Sequence, residues 1–470
     1  MKRRAIAVIA TILAAAMIAA GCGSDDKDSK GGSDSKSSFD GSMKIGAIVP
    51  LTGDLAQFGE PGNAALELAT EVANDALDEA GLKGKVELLV EDGETKEDAA
   101  KAAAEKLVND DVSCIVGDWA SSSTEAVANS VTIDEDVPLI SPASTAGSIT
   151  TLEDNNTVFR TVPSDNLQAQ VLAEAIAKEI GDGGKVTVAA RNNAYGSGLA
   201  SAFVEAGETA GLTVREPILM DPDAPQPKSE AADITKEAAD AFLLIDYPEA
   251  FIKLGPELVK TGKWDPAKTW GSDGLKSTDL PKTGGPELTE GMRGTAPTSA
   301  EAPAAEAFDT LWNEGGDRPE RQTYDADNFD ALLACVLAAV AAGSSDPADV
   351  AAKLADVSGE GDKFTFENFS DALKAAKDGD DVDYEGAASP LDWDENGDPQ
   401  SAFYEIWSYK GGKVTTLETI PFGAAAEGSG SGDDAAATTE GEDADAGATE
   451  SEAGEGEAPE GDTSGDTTTG

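Results

Sequence analysis

From Met43 onward, short apolar runs rich in β-branched residues alternate with stretches of helical periodicity, and this alternation limits the fold more than any other feature. The strands read as Met43–Val49, 86–90, 112–116 and 137–141, with helices over 63–80, 96–109 and 122–131 between them. In the first helix Leu66, Ala69, Ala73 and Leu77 fall on one face. After a strand over 158–162 the pattern restarts. Helices over 166–180, 198–210, 229–239 and 248–261 alternate with strands over 185–190, 214–220, 241–245 and 269–270. Strands that are apolar throughout and joined by helical crossovers call for parallel sheets covered on both faces. The expected fold class is α/β, with two successive Rossmann-like units. Helices over 304–313, 325–342, 347–357 and 369–376 follow. The body is expected to end in a hairpin, with DENGDP turning between 391–393 and 402–409 and Gly411-Gly412 making the next turn.

The chain of 470 residues contains no histidine. Ser-His-Asp and Cys-His nucleophiles, HExxH zinc sites and imidazole acid–base chemistry are therefore absent from its repertoire. No enzyme activity, metal or cofactor is expected. A formal charge of −56, from 90 acids against 34 bases, opposes contact with phosphate backbones, so nucleic acid is not an expected partner.

At the N-terminus Lys2, Arg3 and Arg4 precede an uncharged run to Ala20, followed by Gly21-Cys22. Residues 1–21 read as an export signal, and Ala19-Ala20-Gly21-Cys22 resembles a bacterial lipobox with Cys22 as the lipid attachment. An ordinary secretory signal with an incidental Cys, or a retained single anchor, is the alternative. The expected location is the outer face of the cell membrane, with the acyl chains of Cys22 as the anchor. Residues 22–42 read as a disordered tether, and 423–470, with fourteen acids and no base, as a disordered acidic tail. Export permits a disulfide between Cys114 and Cys335. Both lie in apolar runs, however, and two buried thiols are the favoured expectation.

Ligands in open α/β sheets sit beyond the carboxyl ends of strands. The loop after Val116, Gly117-Asp118-Trp119-Ala120-Ser121-Ser122-Ser123-Thr124, opens a helix for which Ser121 or Ser122 is a natural N-cap. The loop after Ile140 reads Ser141-Pro142-Ala143-Ser144-Thr145-Ala146. Helix capping explains the hydroxyls of either loop alone; two such loops at adjacent strand ends favour a small carboxylate. In the second unit Tyr195, Tyr247 and Asp273 follow strands. Asp273 suits an ammonium in a water-excluded site, although SDG also reads as a plain turn. Tyr195-Gly196-Ser197-Gly198 mimics half a dinucleotide fingerprint and fails at Ser201. Asp392-x-Asp394-x-Asn396-Gly397 opens like a calcium loop but has Phe403 at its twelfth position.

The phrases IGAIVPLTGDLAQFG, IVGDWASSSTEAVANS, PLISPASTA, FRTVPSD, YGSGLA, TWGSDG and SPLDWDENGD occur in the order and spacing of one family. From about Met43 to Phe422 the chain resembles the leucine/isoleucine/valine-binding proteins, type I periplasmic binding proteins that serve ABC importers. The resemblance implies two lobes joined by three crossovers, 43–160 with 298–388 and 161–297 with 389–422. It implies that Ser121, Ala143 and Thr145, with Ser144 in the same loop, meet a ligand's α-carboxylate and part of its ammonium. Asp273 would meet the ammonium, where relatives usually carry Glu, and Tyr195 and Tyr247 would close from the second lobe. Phe58 stands where Tyr is common, and Trp119 and Tyr324 match side-chain-pocket positions. Trp119 is bulkier than the usual aliphatic residue, which puts a Leu/Ile/Val preference in question. The family's first-lobe disulfide has no counterpart, since Ala120 precedes Ser121. The expected protein is a monomeric solute-binding lipoprotein that delivers an amino acid to an ABC permease. A sensory binder of the same fold is an alternative, as is one for an amide, a urea-like compound or an aromatic acid.

Overall fold

The computed structural model describes residues 39–423 except 223, 225 and 226. The export signal, Cys22, most of the tether and the acidic tail lie outside the described residues. The end of the expected tether is packed: Phe39 lies against the first core, and the Asp40 carbonyl accepts from Gly84 N at 2.6 Å.

Five parallel strands make the first sheet, in the order β2-β1-β3-β4-β5. They are β1 (Met43–Val49), β2 (Val86–Asp92), β3 (Cys114–Val116), β4 (Leu139–Ser141) and β5 (Val158–Arg160). The apolar strands are buried on two faces. Ile45, Ala47 and Val49 join one core, whereas Ile48, Ile115 and Leu139 join another on the opposite face. The second sheet contains β6 (Lys185–Arg191), β7 (Thr213–Val214), β8 (Ile218–Met220), β9 (Ala241–Ile245), β10 (Thr269–Gly271) and β11 (Arg293–Pro297). Between β11 and the end of that sheet, a two-stranded parallel pair forms from β12 (Asp362–Phe364) and β13 (Val382–Tyr384). β14 (Ser401–Lys410) and β15 (Lys413–Gly423) then complete the second sheet, in the order β15-β14-β11-β10-β9-β6-β7, with β8 beside β6. β14 is antiparallel to both β11 and β15, so it alone runs against the other strands of the sheet.

The chain passes between the two sheets three times: after Arg160, after Pro297, and between Tyr384 and Ser401. On the middle passage it contributes the helix Asp325–Ala342, whose residues 325–340 are all buried. Phe329, Leu333 and Val336 of this helix pack in one core with Ile45, Val116 and Ile140.

Several expectations are corrected. The first helix spans Ala56–Glu79 and starts seven residues before the expected point. The glycines that read as a loop serve close packing instead: a Cβ on Gly59 would meet the Pro50 carbonyl oxygen at 2.4 Å, and one on Gly62 would meet the Trp119 ring at 2.5 Å. The DENGDP turn exists, but its flanks meet only as a single Trp393–Pro399 bridge, and β14 pairs with β11 and β15. Gly411 and Gly412, both at positive φ, do make the two-residue turn between β14 and β15. Cys114 and Cys335, expected as free thiols, are joined in a disulfide across 221 residues of sequence. β3 and the helix carrying Cys335 pack face to face, which brings the two Cα atoms to 6.1 Å. Closing so long a loop restricts the unfolded chain by roughly 5 kcal/mol on a chain-entropy basis.

Candidate ligand-binding site

The loops after β3 and β4 are fixed by one carbonyl. After β3 the chain turns at Gly117, where a Cβ would meet the Ile48 carbonyl oxygen at 2.4 Å, and the Gly117–Asp118 peptide is cis. The Asp118 carbonyl oxygen accepts from Thr124 Oγ1 at 3.0 Å, Ser141 Oγ at 2.6 Å and Ser144 Oγ at 3.2 Å. Ser144 Oγ also lies 2.7 Å from Thr124 Oγ1, so its hydroxyl is spent on holding the two loops together. Ser121 and Ser122 are not N-caps. The cap position of the helix Ser121–Val127 is Ala120, and no side chain bonds there. Both serines have partners elsewhere: Ser121 Oγ accepts from Ala146 N at 3.2 Å, and Ser122 Oγ from Ala194 N, at the start of the next lobe's helix, at 3.0 Å. Thr145 differs from these hydroxyls. Its Oγ1 is buried without a hydrogen-bond partner.

A buried cation underlies these loops. Arg160, at the end of β5, has no exposed surface. Its guanidinium donates to the carbonyls of Ser144 and Ala146, on either side of Thr145, at 3.3 and 3.0 Å. It also donates to Asp398 Oδ1 at 2.7 Å and Thr150 Oγ1 at 2.8 Å. The Asp398 carboxylate accepts from Thr150 as well, and the Trp393 indole donates to the Arg160 carbonyl at 2.6 Å. The third passage of the chain is thereby tied to the Thr145 loop.

The facing wall is aromatic and acidic. Tyr195 lies in the first turn of the helix Ala194–Thr209, which starts four residues earlier than expected because Asn193 caps it through Gly196 N. The Tyr195 and Tyr247 rings stack with centroids 5.5 Å apart. Tyr195 OH donates to Asp273 Oδ1 at 2.7 Å and lies 2.7 Å from Ser272 Oγ. From the other side Tyr324 OH donates to Asp273 Oδ2. Tyr324 also packs at 6.0 Å from Phe58 and 5.8 Å from Trp119. Phe58, Trp119, Ala143, Tyr195, Tyr247 and Tyr324 thus share one buried cluster around Asp273. The Trp119 indole N–H has no partner there. All ten ligand positions expected from the sequence are buried.

Beneath this cluster sits an acid the sequence reading passed over. Asp165 N donates to the Thr145 carbonyl at 2.7 Å, and both its carboxylate oxygens are buried without a hydrogen-bond partner. Burial, then the charge of Asp273, push its pKa well above the usual carboxylate range; the Thr145 hydroxyl beside it and the Arg160 guanidinium pull the other way. Burial raises Asp273 too, opposed by Tyr324, Tyr195 and Gln168. Gln168 lies one turn beyond Asp165 and donates to the Thr295 carbonyl at 3.1 Å, which leaves its own buried carbonyl oxygen unpaired. Asp118, a second acid passed over, is raised to about 7 by burial despite accepting from Trp119 N. The FRTVPSD phrase contains both Arg160 and Asp165, but no periodicity marks either as buried.

At the mouth, ion pairs span the two lobes. Arg191 meets Asp54 at 2.5 Å and Asp246 at 3.3 Å, and its guanidinium lies 4.4 Å from the centre of the Tyr247 ring. Lys253 lies 3.7 Å from Asp54. Gln57 bridges Glu249 at 3.1 Å and Ser277 at 2.6 Å. A groove of about 650 Å³ opens here, lined by Asp54, Ser122, Arg191, Asn193 and Tyr247.

Comparison with known proteins gives one family. The periplasmic binding protein family matches residues 42–378. A Leu/Ile/Val-binding protein homolog of Brucella melitensis is 28% identical over 380 residues, 80% of this chain and 94% of that protein. Among solved structures, a leucine-binding protein of Thermotoga maritima superposes with a TM-score of 0.67 at 22% identity, over 80% of this chain and 98% of that one. An ABC-transporter solute-binding protein of R. palustris, solved with 4-hydroxybenzoate, gives 0.62 at 20% identity over 81% and 97%. These superpositions show that the overall α/β fold is shared. The chain belongs to the periplasmic binding protein family, as an extracytoplasmic solute-binding protein of the leucine/isoleucine/valine-binding type.

Proposed function

We propose that the protein captures an L-α-amino acid between its lobes and delivers it to an ABC import permease. One observation carries the ligand class: the cleft buries an acid, Asp273, whose bonded neighbours are the neutral hydroxyls of Tyr195 and Tyr324, while the strand-end loops bury the hydroxyls of Thr145 and Ser121. A zwitterion meets both demands, its ammonium on Asp273 and its carboxylate on the Thr145 and Ser121 loops. The lobes, 43–160 with 298–388 and 161–297 with 389–422, close as two bodies about the three connecting passages. Lipidation of Cys22 holds the monomer at the outer face of the membrane, and a mature N-terminus lacking acyl chains in mass spectrometry would remove that anchor.

The test is calorimetry with the twenty amino acids and their des-amino analogues. Asp273→Asn is expected to weaken amino acids about a hundredfold, the worth of a charge-assisted hydrogen bond in a dry site, and to leave des-amino compounds nearly unchanged. Equal losses would remove Asp273 from the role. A second reading, an aromatic acid, is favoured by the Phe58, Trp119 and Tyr324 rings. Tight binding of benzoate in preference to phenylalanine would establish it.

A further inference from the structure

Two polar atoms beside the aromatic cluster are left over once the protein's own contacts are made. The Trp119 indole N–H and Asn328 Oδ1 are buried with no hydrogen-bond partner among the described residues, in side chains belonging to residues 3% and 0% exposed. One is a donor, the other an acceptor. They come from different elements, the loop after β3 and the long buried helix, and both side chains lie against Gly62 of the first helix. A Cβ on Gly62 would stand 2.5 Å from Trp119 Cζ2, on the nitrogen-bearing edge of the indole, and 3.5 Å from Asn328 Nδ2. The Asn328 Nδ2 already donates to the Gly62 carbonyl at 2.7 Å, which leaves Oδ1 as the free end of that amide. Tyr324 connects the pair to the acid of the cleft. Its hydroxyl is on Asp273, its ring lies 5.8 Å from the Trp119 ring, and its carbonyl accepts from Asn328 N, one helical turn on, at 3.0 Å.

A buried donor and a buried acceptor left unpaired side by side both cost stability until something satisfies them. An aliphatic side chain satisfies neither. A carboxylate accepts from the indole but sets a second acceptor against Asn328 Oδ1, and an ammonium does the reverse. A carboxamide has one carbonyl oxygen and one NH2 on a single planar group. We propose that Trp119 and Asn328 form a side-chain subsite for a carboxamide, with its oxygen on the Trp119 N–H and its NH2 on Asn328 Oδ1. The preferred ligand is then an α-amino acid ending in an amide. This rests on the amino-acid reading above, which places the α-ammonium on Asp273, and narrows it. The rings of Phe58, Trp119 and Tyr324, with centroids 5.8 to 6.5 Å apart, cover the methylenes between the two ends.

The experiment uses the mature full-length chain and calorimetry with pairs of equal shape: L-asparagine against L-leucine, and L-glutamine against L-homoleucine. In each pair an amide replaces an isopropyl group, so the ratio of affinities reports hydrogen bonding and not fit. At least one amide is expected to bind about a hundredfold more tightly than its hydrocarbon partner, a factor of about ten for each hydrogen bond. Trp119→Phe keeps a ring and removes the N–H; it is expected to lower that ratio about tenfold, while the loss of ring area falls on both members and cancels. Asn328→Leu, which removes the acceptor, should lower it by a similar factor. The wild-type ratio stands whether or not either variant folds. Hydrocarbon partners that bind as tightly as both amides overturn the proposal and leave the amino-acid reading intact; a water bridging Trp119 and Asn328 would give that result. A ratio unaltered in Trp119→Phe overturns it too. If no amino acid binds, the amino-acid reading fails, and saturation-transfer NMR with butyramide decides the subsite. A butyramide signal lost in Trp119→Phe supports it, and no signal, or an unaltered one, overturns it.

Discussion

At the mouth of the cleft, two acids and two cations neutralise one another: Asp54 and Asp246 against Arg191 and Lys253. On the floor, Asp165 and Asp273 make no ion pair with a cation among the described residues, and the nearby Arg160 pairs with Asp398. The mouth pairs its own charges, whereas on the proposed amino-acid reading the floor takes its positive charge from the ligand. That reading separates closure from recognition in space. Arg191 and Asp246 are nearly buried, but 54% of the Lys253 side chain and 21% of the Asp54 side chain are exposed, so salt screens the Asp54–Lys253 pair more than the floor.

The separation is open to attack at three points. The largest effect is expected from Arg160→Met, which frees the carbonyls beside Thr145 and leaves Asp398 buried without its partner. Breaking such a pair costs about 3–5 kcal/mol, read as a lower urea midpoint. A change under 1 kcal/mol would mean that the Thr145 loop stands without Arg160. Next comes pH. Asp118, Asp325 and Asp330 are each raised to about 7 by burial, so between about pH 4 and 7 the native protein keeps protons that the unfolded chain has lost. Stability falls as pH rises through that window. The melting temperature of the unliganded protein should accordingly be higher at pH 5 than at pH 8, and self-repulsion from the −56 charge acts in the same direction. A melting temperature that climbs towards pH 8 would show these acids to be ionised at no cost. The smallest effect is expected at the mouth. Asp54→Asn should cost under about 1 kcal/mol of stability, speed ligand release, and lose that kinetic effect at high salt. If it reduced amino-acid affinity as much as Asp273→Asn, the contrast between mouth and floor would collapse.

The sheets were readable because a parallel strand covered on both faces is apolar at every position, as in Met43–Val49 and Ala241–Ile245. β11 escaped notice for the converse reason. Its RGTAP carries no β-branched apolar run, and Gly294 is there because a Cβ would meet the Trp407 ring at 2.3 Å. The start of the first helix was misread because glycine signals both a loop and close packing, and local sequence does not tell them apart. The site was legible as far as its strand-end loops and its matched family phrases reached. Asp165 was not: it is one of 90 acids, and only the fold shows which of them lose their water. Ser144 illustrates the opposite error, since a hydroxyl in a promising loop turns out to serve the loop itself. The Cys114–Cys335 bond depends on two segments 221 residues apart meeting, which no local pattern records.

The hydroxyls of Tyr195 and Tyr324 already sit on Asp273, one from each lobe. Each of these carboxylate oxygens can accept a further hydrogen bond, so on the proposed amino-acid reading an ammonium joins the two hydroxyls, and its charge-assisted bond outweighs the neutral one that an uncharged guest would bring.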